Sequence, residues 1–232
     1  MKFSEPLVRG TLVKRYKRFL SDIELPGGEL VVAHCANPGA MLGLNETGSE
    51  VWLSRSNNPK RKLAYSWELV RVGKHLVGIN TGLPNGIVAE AILAGHIREL
   101  RGYDTLRREV RYGVNSRIDL LLDATGKPTC YVEIKNVHLK RGAAAEFPDC
   151  PTVRGAKHLR ELTEMVAQGH RAVMVYLVQR GDCDYFTVAD DLDPAYGKAL
   201  REAMKRGVEA LCYTCKVTVD SIEIGGTLPV RV

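Results

Sequence analysis

The feature that most constrains the fold of this chain is a cluster of turn-forming residues, Thr81-Gly82-Leu83-Pro84-Asn85-Gly86, that separates two differently patterned halves. Before it, short runs rich in β-branched and aromatic residues alternate with Gly, Asn and Pro clusters, a pattern typical of strands and turns. After it, apolar residues recur first at helical spacing and then in strand-like runs. The change predicts two domains, residues 1–82 and 83–232, that meet at this cluster.

The first domain is predicted to contain only strands. Residues 7–25 form one long extended stretch that ends at a turn made by Pro26, Gly27 and Gly28. Further strands are predicted at residues 30–35, 51–54, 63–72 and 76–79. About five strands in about 80 residues are typical of a small barrel, and an OB-like barrel combines that size with a nucleic-acid-binding face. A β-sandwich of the same length is the alternative.

The second domain is predicted to mix helices and strands in the order αβββαβ followed by αβ. The first helix has Asn85 as its N-cap and Gly102 as its stop signal. The remaining elements are strands at 105–112, 117–122 and 129–137, a helix at 154–168, strands at 172–178 and 185–188, a helix at 195–206, and a strand at 216–219 before a Gly-rich tail.

Positive charge is concentrated in the first domain. Of the net charge of +6, residues 1–82 contribute +5, with twelve Lys or Arg and seven Asp or Glu. One basic cluster comprises Arg9, Lys14, Arg15, Lys17 and Arg18, and a second comprises Arg55, Lys60, Arg61 and Lys62. Such clusters are typical of proteins that bind polyanions, so both predict DNA contacts. The alternative interpretation is an ordinary solvated surface.

The sequence also argues against several classes of protein. No run approaches the ~18 apolar residues that a membrane span requires, and the N-terminus has no apolar signal segment. Six cysteines in 232 residues are too few for a disulfide scaffold. Cys212 and Cys215 form a single CxxC pair, which we interpret as core residues because a structural zinc needs four ligands. A cytoplasmic protein without a membrane partner is expected, and its oligomeric state is left open.

The most informative chemical pattern is Asp119 followed fourteen residues later by Glu133-Ile134-Lys135. Because strand side chains alternate, Glu133 and Lys135 project from one face, and a hairpin would bring Asp119 beside them. Two carboxylates in an apolar sheet need a compensating partner, and Mg²⁺ or Mn²⁺ is a natural one for phosphodiester hydrolysis. The alternative is a structural ion pair between Lys135 and either acid.

Other candidate residues carry weaker signals. Glu90, on the first predicted helix, is a possible third metal ligand or a solvated side chain. Lys157 and His158 open the second helix as possible auxiliary site residues, although Lys157 with Glu161 is equally typical of a surface pair. Aromatic residues on the predicted barrel strands are candidates for stacking on bases, although core packing is the commoner role for tryptophan. These aromatic residues are Trp52, Tyr65 and Trp67.

The order αβββαβ with Glu90, Asp119, Glu133 and Lys135 resembles the PD-(D/E)xK nuclease core. More specifically, the whole chain resembles the sugar fermentation stimulation protein A family. The matching stretches are residues 34–39 (HCANPG), 65–70 (YSWELV), 77–81 (VGINT), 116–119 (SRID), 131–137 (YVEIKNV), 147–149 (FPD) and 154–159 (RGAKHL).

The resemblance implies an N-terminal OB-like barrel, a C-terminal nuclease-like domain, non-sequence-specific DNA binding and a regulatory role in sugar (maltose) utilisation. The family's proposed catalytic positions fall on Asp119, Glu133 and Lys135. Asn37 is a possible auxiliary residue; a hydroxyl residue usually follows it in the family pattern, whereas Pro38 and Ala40 occupy this stretch here.

Three functional hypotheses follow. The chain is a metal-dependent nuclease acting on DNA, a catalytically silent DNA-binding regulator, or an enzyme acting on another phosphorylated or sugar substrate. Three intact charged residues favour the first hypothesis, because a decayed site has no reason to keep buried charges together.

Overall fold

The first sheet closes into a barrel in the computed structural model, which describes residues 1–232. Its strands are β1 (Val8–Tyr16), β2 (Leu20–Glu24), β3 (Leu30–Cys35), β4 (Glu50–Arg55), β5 (Tyr65–Val72) and β6 (His75–Gly78). The order is β3-β2-β1-β4-β5-β6, and an additional parallel pairing of β3 with β5 closes a five-stranded barrel around an apolar core. The predicted OB-like barrel is confirmed.

The predicted extended stretch 7–25 is not continuous. It folds back on itself, because Tyr16 pairs with Leu20 and the intervening residues form a tight turn between β1 and β2. Lys17 and Arg18 both have positive φ values, 48° and 62°, which are uncommon for residues other than glycine. This turn places two residues of the first basic cluster at the tip of a hairpin.

The second domain follows the predicted order. Its elements are α1 (Pro84–Leu93), β7 (Thr105–Tyr112), β8 (Ser116–Asp123), β9 (Cys130–Val137), β10 (Leu139–Arg141), β11 (Ala144–Phe147), α2 (Val153–Ala167), β12 (Arg171–Val178), β13 (Tyr185–Val188), α3 (Pro194–Lys205), β14 (Glu209–Val217) and β15 (Ile222–Thr227). Three features differ from the prediction: the hairpin β10–β11 was not expected, β14 begins earlier than the predicted strand 216–219, and β15 occupies part of the Gly-rich tail. The αβββαβ arrangement predicted for this domain is confirmed.

Six of these strands form one mixed sheet in the order β15-β14-β12-β9-β8-β7. The strands β9, β12 and β14 run parallel, whereas β7, β8 and β15 are antiparallel to their neighbours. α1 packs on one face in an apolar cluster that also contains Trp52 and Leu69 of the barrel. α2 and α3 cover the other face, so β12 is buried on both sides and almost entirely apolar.

Helix α1 begins and ends differently from the prediction. Pro84 is its first residue, which suits the fixed φ of proline, and the preceding Leu83 holds the N-cap position. Asn85 is therefore not the cap, and its side chain is free to point elsewhere. The helix stops at Leu93 rather than at Gly102, because Gly95 (φ +68°) turns the chain into a short 3₁₀ segment. None of the three α-helices has the length and apolar composition needed to cross a bilayer.

Candidate active site

Asp119 lies at the point where β8 and β9 stop pairing. The two strands pair in register up to Leu120 and Val132, so the next residues, Asp119 and Glu133, come side by side as the hairpin prediction required. Asp119 Oδ2 accepts a 2.7 Å hydrogen bond from the backbone N–H of Ile134, and Oδ1 accepts one of 2.8 Å from Asn85 Nδ2. The carboxylate is thus fixed between β9 and the start of α1.

Glu133 and Lys135 project from the same face of β9, as strand alternation predicted. Lys135 Nζ donates to Glu133 Oε1 at 2.7 Å, and the two side chains are 14% and 3% exposed respectively. The same Oε1 atom contacts His158 Nδ1. The second oxygen of the carboxylate, Oε2, is buried and has no hydrogen-bond partner. The site therefore contains a buried carboxylate with one saturated and one unused oxygen.

His158 reaches this carboxylate because of the way α2 packs. Thr152 caps the helix by accepting a 3.0 Å hydrogen bond from Gly155 N. The buried face of α2, which includes Leu159 and Leu162, then packs on the sheet. His158 lies on this face, 4% exposed, and so points at β9. The structure thus brings the predicted auxiliary residue His158 to the acid pair.

The environment shifts the pKa values of the two carboxyls in opposite directions. Burial and the neighbouring charge of Glu133 raise the pKa of Asp119 to about 6. Burial also acts to raise the pKa of Glu133, but the hydrogen bond from His158 and the charge of Lys135 outweigh it and hold this pKa below its usual value. Glu133 is therefore the ionised member of the pair over the neutral range, and Asp119 is the group that gains or loses a proton near neutrality.

Three further residues of this region, Asn85, Tyr112 and Glu161, were not predicted to be site residues. The Tyr112 hydroxyl and Glu161 Oε2 are buried without hydrogen-bond partners, as Glu133 Oε2 is. Burial and the negative charges of Glu133, Glu161 and Asp119 raise the Tyr112 pKa, so this phenol stays protonated beside the acids. Glu161 could have been found, because it follows His158 by three residues and therefore shares its helix face.

Two predicted site residues point elsewhere. Glu90 is 60% exposed and forms a 2.8 Å ion pair with the amino group of Met1. It lies roughly 140° around α1 from Asn85, which faces Asp119, so α1 cannot present both side chains to the acid pair. Lys157 donates a 2.8 Å hydrogen bond to the Val114 carbonyl and lies 3.6 Å from Glu161, so it braces the β7–β8 turn.

The five residues of the first basic cluster divide into three groups. Arg15 is a structural residue, because its guanidinium donates to the carbonyls of residues 18, 37, 39 and 40. Arg9 forms an ion pair with Glu50, and Lys14 lies 3.4 Å from Asp22. Lys17 and Arg18 are exposed at the hairpin tip and form no ion pair. The expectation that all five residues are free for DNA is therefore wrong for Arg15.

The second basic cluster comprises Arg55 at the end of β4 and three residues of the exposed loop that follows it. Lys60 and Lys62 are exposed and form no ion pair, whereas Arg61 donates a 2.9 Å hydrogen bond to Ser66 Oγ. Trp52 and Trp67 of the neighbouring strands are buried, at 6% and 0% exposure, so neither can stack on a base.

Asn37 and the CxxC cysteines have structural positions. Asn37 is 1% exposed, donates a 2.8 Å hydrogen bond to the Ile79 carbonyl and accepts one of 2.9 Å from Gly39 N. It thereby shapes the loop after β3 and does not contact the acid pair. Cys212 and Cys215 are buried free thiols on β14, within the two apolar clusters.

Two family models match the chain. Residues 13–79 match the SfsA N-terminal OB domain, and residues 82–221 match the sugar fermentation stimulation protein RE domain. The chain belongs to the sugar fermentation stimulation protein family. Its members include a homologue from Paramagnetospirillum magneticum that is 62% identical over 98% of this chain and 97% of its own. A homologue from Rhodospirillum centenum is also 62% identical, over 98% of each chain.

The family fold is also seen in a solved structure. The structure of Pyrococcus furiosus SfsA in complex with Ca²⁺ superposes with a TM-score of 0.91 at 26% identity, covering 100% of this chain and 98% of that chain. The barrel and the six-stranded sheet of this chain are thus shared with that relative.

The residues at the acid pair fit a hard divalent cation with few protein ligands. Asp119 and Glu133 are adjacent, and the buried Glu133 Oε2 has no partner inside the protein. No group of three or more His, Cys, Asp or Glu side chains is arranged around a common metal position. Mg²⁺ commonly takes one or two carboxylates and completes its shell with water and phosphate oxygens, so two adjacent carboxylates are enough protein ligands for it.

Proposed function

We propose that this family member binds DNA without sequence specificity and hydrolyses phosphodiester bonds with Mg²⁺ or Mn²⁺ at Asp119 and Glu133. The observation that carries this proposal is the pairing of half-buried Asp119 with buried Glu133 beside Lys135, with Glu133 Oε2 left unpartnered. Such burial of charge is costly unless a ligand offsets it. The Ca²⁺ bound to the Pyrococcus furiosus relative supports a divalent site, because Ca²⁺ and Mg²⁺ both prefer oxygen ligands.

Each residue has a distinct role in this proposal. Asp119 and Glu133 hold the cation, which when bound lowers the pKa of a water and offsets charge on the phosphate. Lys135 lies within 2.7 Å of Glu133, so its ammonium is placed to orient the attacking water or to stabilise the developing negative charge. His158 is a positioning residue that keeps Glu133 ionised and fixes its rotamer.

Phosphate contacts come from the exposed cations of the barrel. Lys17, Arg18, Lys60 and Lys62 form no ion pairs and are free to neutralise phosphates, a mode of binding that carries no sequence information. No two α-helices follow one another along the chain, so a helix-turn-helix reader is absent. We infer that the protein is cytoplasmic and binds chromosomal DNA there. We also infer that its role in sugar fermentation depends on this DNA binding.

A catalytically silent DNA-binding regulator is the second candidate. Lys135 and His158 both contact Glu133 Oε1, so part of the carboxylate charge is compensated without a metal. This candidate predicts the same DNA binding but no strand scission. The third hypothesis, an enzyme for another phosphorylated substrate, predicts cleavage of a small phosphodiester but not of DNA.

One experiment separates these candidates. Supercoiled plasmid, single-stranded DNA and bis(p-nitrophenyl) phosphate are incubated with wild type, Glu133→Gln and Glu90→Gln, with Mg²⁺, Mn²⁺ or EDTA. We expect metal-dependent DNA cleavage by wild type and Glu90→Gln, and none by Glu133→Gln. Glu90→Gln is the matched control because the same chemical change is made on an exposed carboxylate away from the site. DNA binding without cleavage in any metal would establish the silent regulator instead.

A further inference from the structure

The hairpin tip of the barrel carries an unusual aromatic residue. Phe19 is 45% exposed, and it is the only aromatic side chain of the chain with that degree of exposure. Its ring lies over the imidazole of His34, with centroids 6.4 Å apart and planes inclined by 19°. The two rings thus form a stacked pair that presents the exposed Phe19 ring, and we call this pair the Phe19–His34 platform.

The backbone holds this platform in place. Phe19 N donates to the Lys17 carbonyl at 2.8 Å, and Cys35 N donates to the Phe19 carbonyl at 2.9 Å. Residue 35 directly follows His34 on β3, so the second bond ties Phe19 to the strand that carries its ring partner. The platform is therefore built into the barrel sheet, so little conformational freedom is lost when a ligand covers it.

The platform is bordered by positive charge. Lys17 and Arg18 directly precede Phe19, are exposed, and form no ion pair. Two carboxylates linked to this end of the barrel already have partners: Asp22 contacts Tyr16 at 2.9 Å and Lys14, while Asp149 accepts from Met41 N at 2.9 Å and contacts His138. A flat aromatic surface flanked by free cations is complementary to a base with its phosphates.

The platform also lies on the side of the barrel that faces the nuclease-like domain. Arg15 donates to the Arg18 carbonyl at the hairpin tip and to the carbonyls of residues 37 and 39, and Met41 in the same loop donates a 2.9 Å hydrogen bond to Asp149, the residue before Cys150. Cys150 lies two residues before Thr152, the N-cap of the helix that carries His158. The hairpin tip is therefore linked through this loop to the segment that leads into α2.

We propose that the Phe19–His34 platform stacks on unpaired bases of single-stranded DNA while Lys17 and Arg18 neutralise the flanking phosphates. This inference rests on the proposed DNA binding and adds a preference to it. In a duplex the base faces are covered by their neighbours, so only unpaired nucleotides can use the platform. Charge contacts alone would bind both forms of DNA.

The test compares a fluorescein-labelled oligo(dT) with a duplex hairpin of equal length. Phe19→Ala should weaken oligo(dT) binding roughly 5- to 150-fold, the range for loss of one stacked base, and leave duplex binding nearly unchanged. Phe19→Trp should preserve binding, because the larger ring can still stack. Leu30→Ala is the matched control, since Leu30 is 68% exposed at the opposite end of β3. Thermal melts establish that each variant is folded.

Salt dependence separates stacking from charge. Phe19→Ala should keep the wild-type slope of log affinity against log salt, whereas Lys17→Ala/Arg18→Ala should reduce its magnitude by about 1.4 on single strands. If wild type binds DNA and folded Phe19→Ala binds oligo(dT) as well as wild type, or loses duplex affinity equally, the platform proposal is wrong and the proposed DNA binding stands. If wild type binds neither DNA, both proposals fail.

Discussion

The carboxylate of Asp119 accepts a 2.7 Å hydrogen bond from the backbone N–H of Ile134, a donor that faces β8 just where backbone pairing between β8 and β9 ends. A side chain thus takes the place of a backbone acceptor, and the two strands part. Because Ile134 directly follows Glu133, the bond also sets the distance between the two acids. The geometry of the candidate site therefore originates in an interruption of the sheet.

The raised pKa of Asp119 makes the site a source of pH-dependent instability. A carboxyl whose pKa is about 6 when folded and 3.8 when unfolded contributes stability that is fully present below pH 3.8 and is lost as the pH rises through 6. In EDTA, Asp119→Asn should therefore increase the free energy of unfolding at pH 8 by about 1–3 kcal/mol. The gain should fade towards pH 4 in urea titrations.

Asp123 on the same strand is the matched control for this prediction. Hydrogen bonds from Arg107 and Thr129 hold its pKa below the ordinary value, so its contribution has the opposite sign. Asp123→Asn should lower stability at pH 7, with the difference fading as the pH falls below about 4. Destabilisation of Asp119→Asn at pH 8 would show that the charge of Asp119 is compensated within the protein.

The sequence predicted the elements of the second domain well, because most of them have a strong period. Strands β7 and β13 have the expected bounds, and the acid pair follows from a short hairpin and side-chain alternation. The prediction of how α1 begins was wrong, because Pro84 and Asn85 can each mark the start of a helix. Asn85 looks like an N-cap, but Pro84 can begin the helix, which frees the Asn85 side chain for Asp119.

Tertiary contacts decided the remaining features. The sequence of a basic cluster does not show which of its residues bind groups within the protein. The Arg15 guanidinium donates hydrogen bonds to four backbone carbonyls, and three of these belong to a loop more than twenty residues away. The turn at Lys17 and Arg18 was missed because it contains neither Gly nor Pro, the usual signals. Glu90 has the right residue type and the right helix but lies on the wrong face.

A divalent cation should stabilise the folded protein. At a concentration a hundredfold above the dissociation constant, Mn²⁺ or Mg²⁺ should add roughly 2.7 kcal/mol to the free energy of unfolding. Glu133→Gln and Asp119→Asn should lose most of this gain, because each removes a ligand charge. Lys135→Ala should keep the gain and lose cleavage, since an ammonium is not a ligand.

Differential scanning fluorimetry across a metal titration measures this effect. Glu90→Gln should respond like wild type, because its carboxylate pairs with the N-terminal amino group. If Glu90→Gln abolished the metal-induced stabilisation and Glu133→Gln retained it, the metal would bind at Glu90 on α1 instead of at the acid pair.

His158 should control the ionisation of Glu133. Burial opposes ionisation, and the contact with His158 is the largest of the interactions that favour it, so His158→Ala should raise the pKa of Glu133. The depressed pKa contributes stability that is present above pH 4.5 and lost as the pH falls through the folded-state pKa. We therefore expect His158→Ala to cost about 2–4 kcal/mol at pH 7 and less at pH 4.

Urea titrations at the two pH values measure the cost, with Arg154→Ala as the control. Arg154 contacts the other imidazole nitrogen of His158 at 3.3 Å and does not touch Glu133. It should therefore have a small effect that does not depend on pH. Equal losses for His158→Ala at pH 4 and pH 7 would mean that the imidazole acts only as a packing group.

Two adjacent basic residues of β1 should have separable roles. Arg15 holds the loop at residues 37–40 through its guanidinium, so Arg15→Ala should lower the free energy of unfolding by about 2–4 kcal/mol. Lys14 is exposed and has only a 3.4 Å contact with Asp22, so Lys14→Ala should change stability by less than about 0.5 kcal/mol. Urea titrations of the two variants under identical conditions measure the difference. In DNA-binding isotherms at several salt concentrations, Lys14→Ala should reduce the salt slope if Lys14 reaches a phosphate. Folded Arg15→Gln should keep the wild-type slope, because the Arg15 guanidinium donates to carbonyl groups of the protein. A salt slope that falls in folded Arg15→Gln would return Arg15 to the DNA-binding surface.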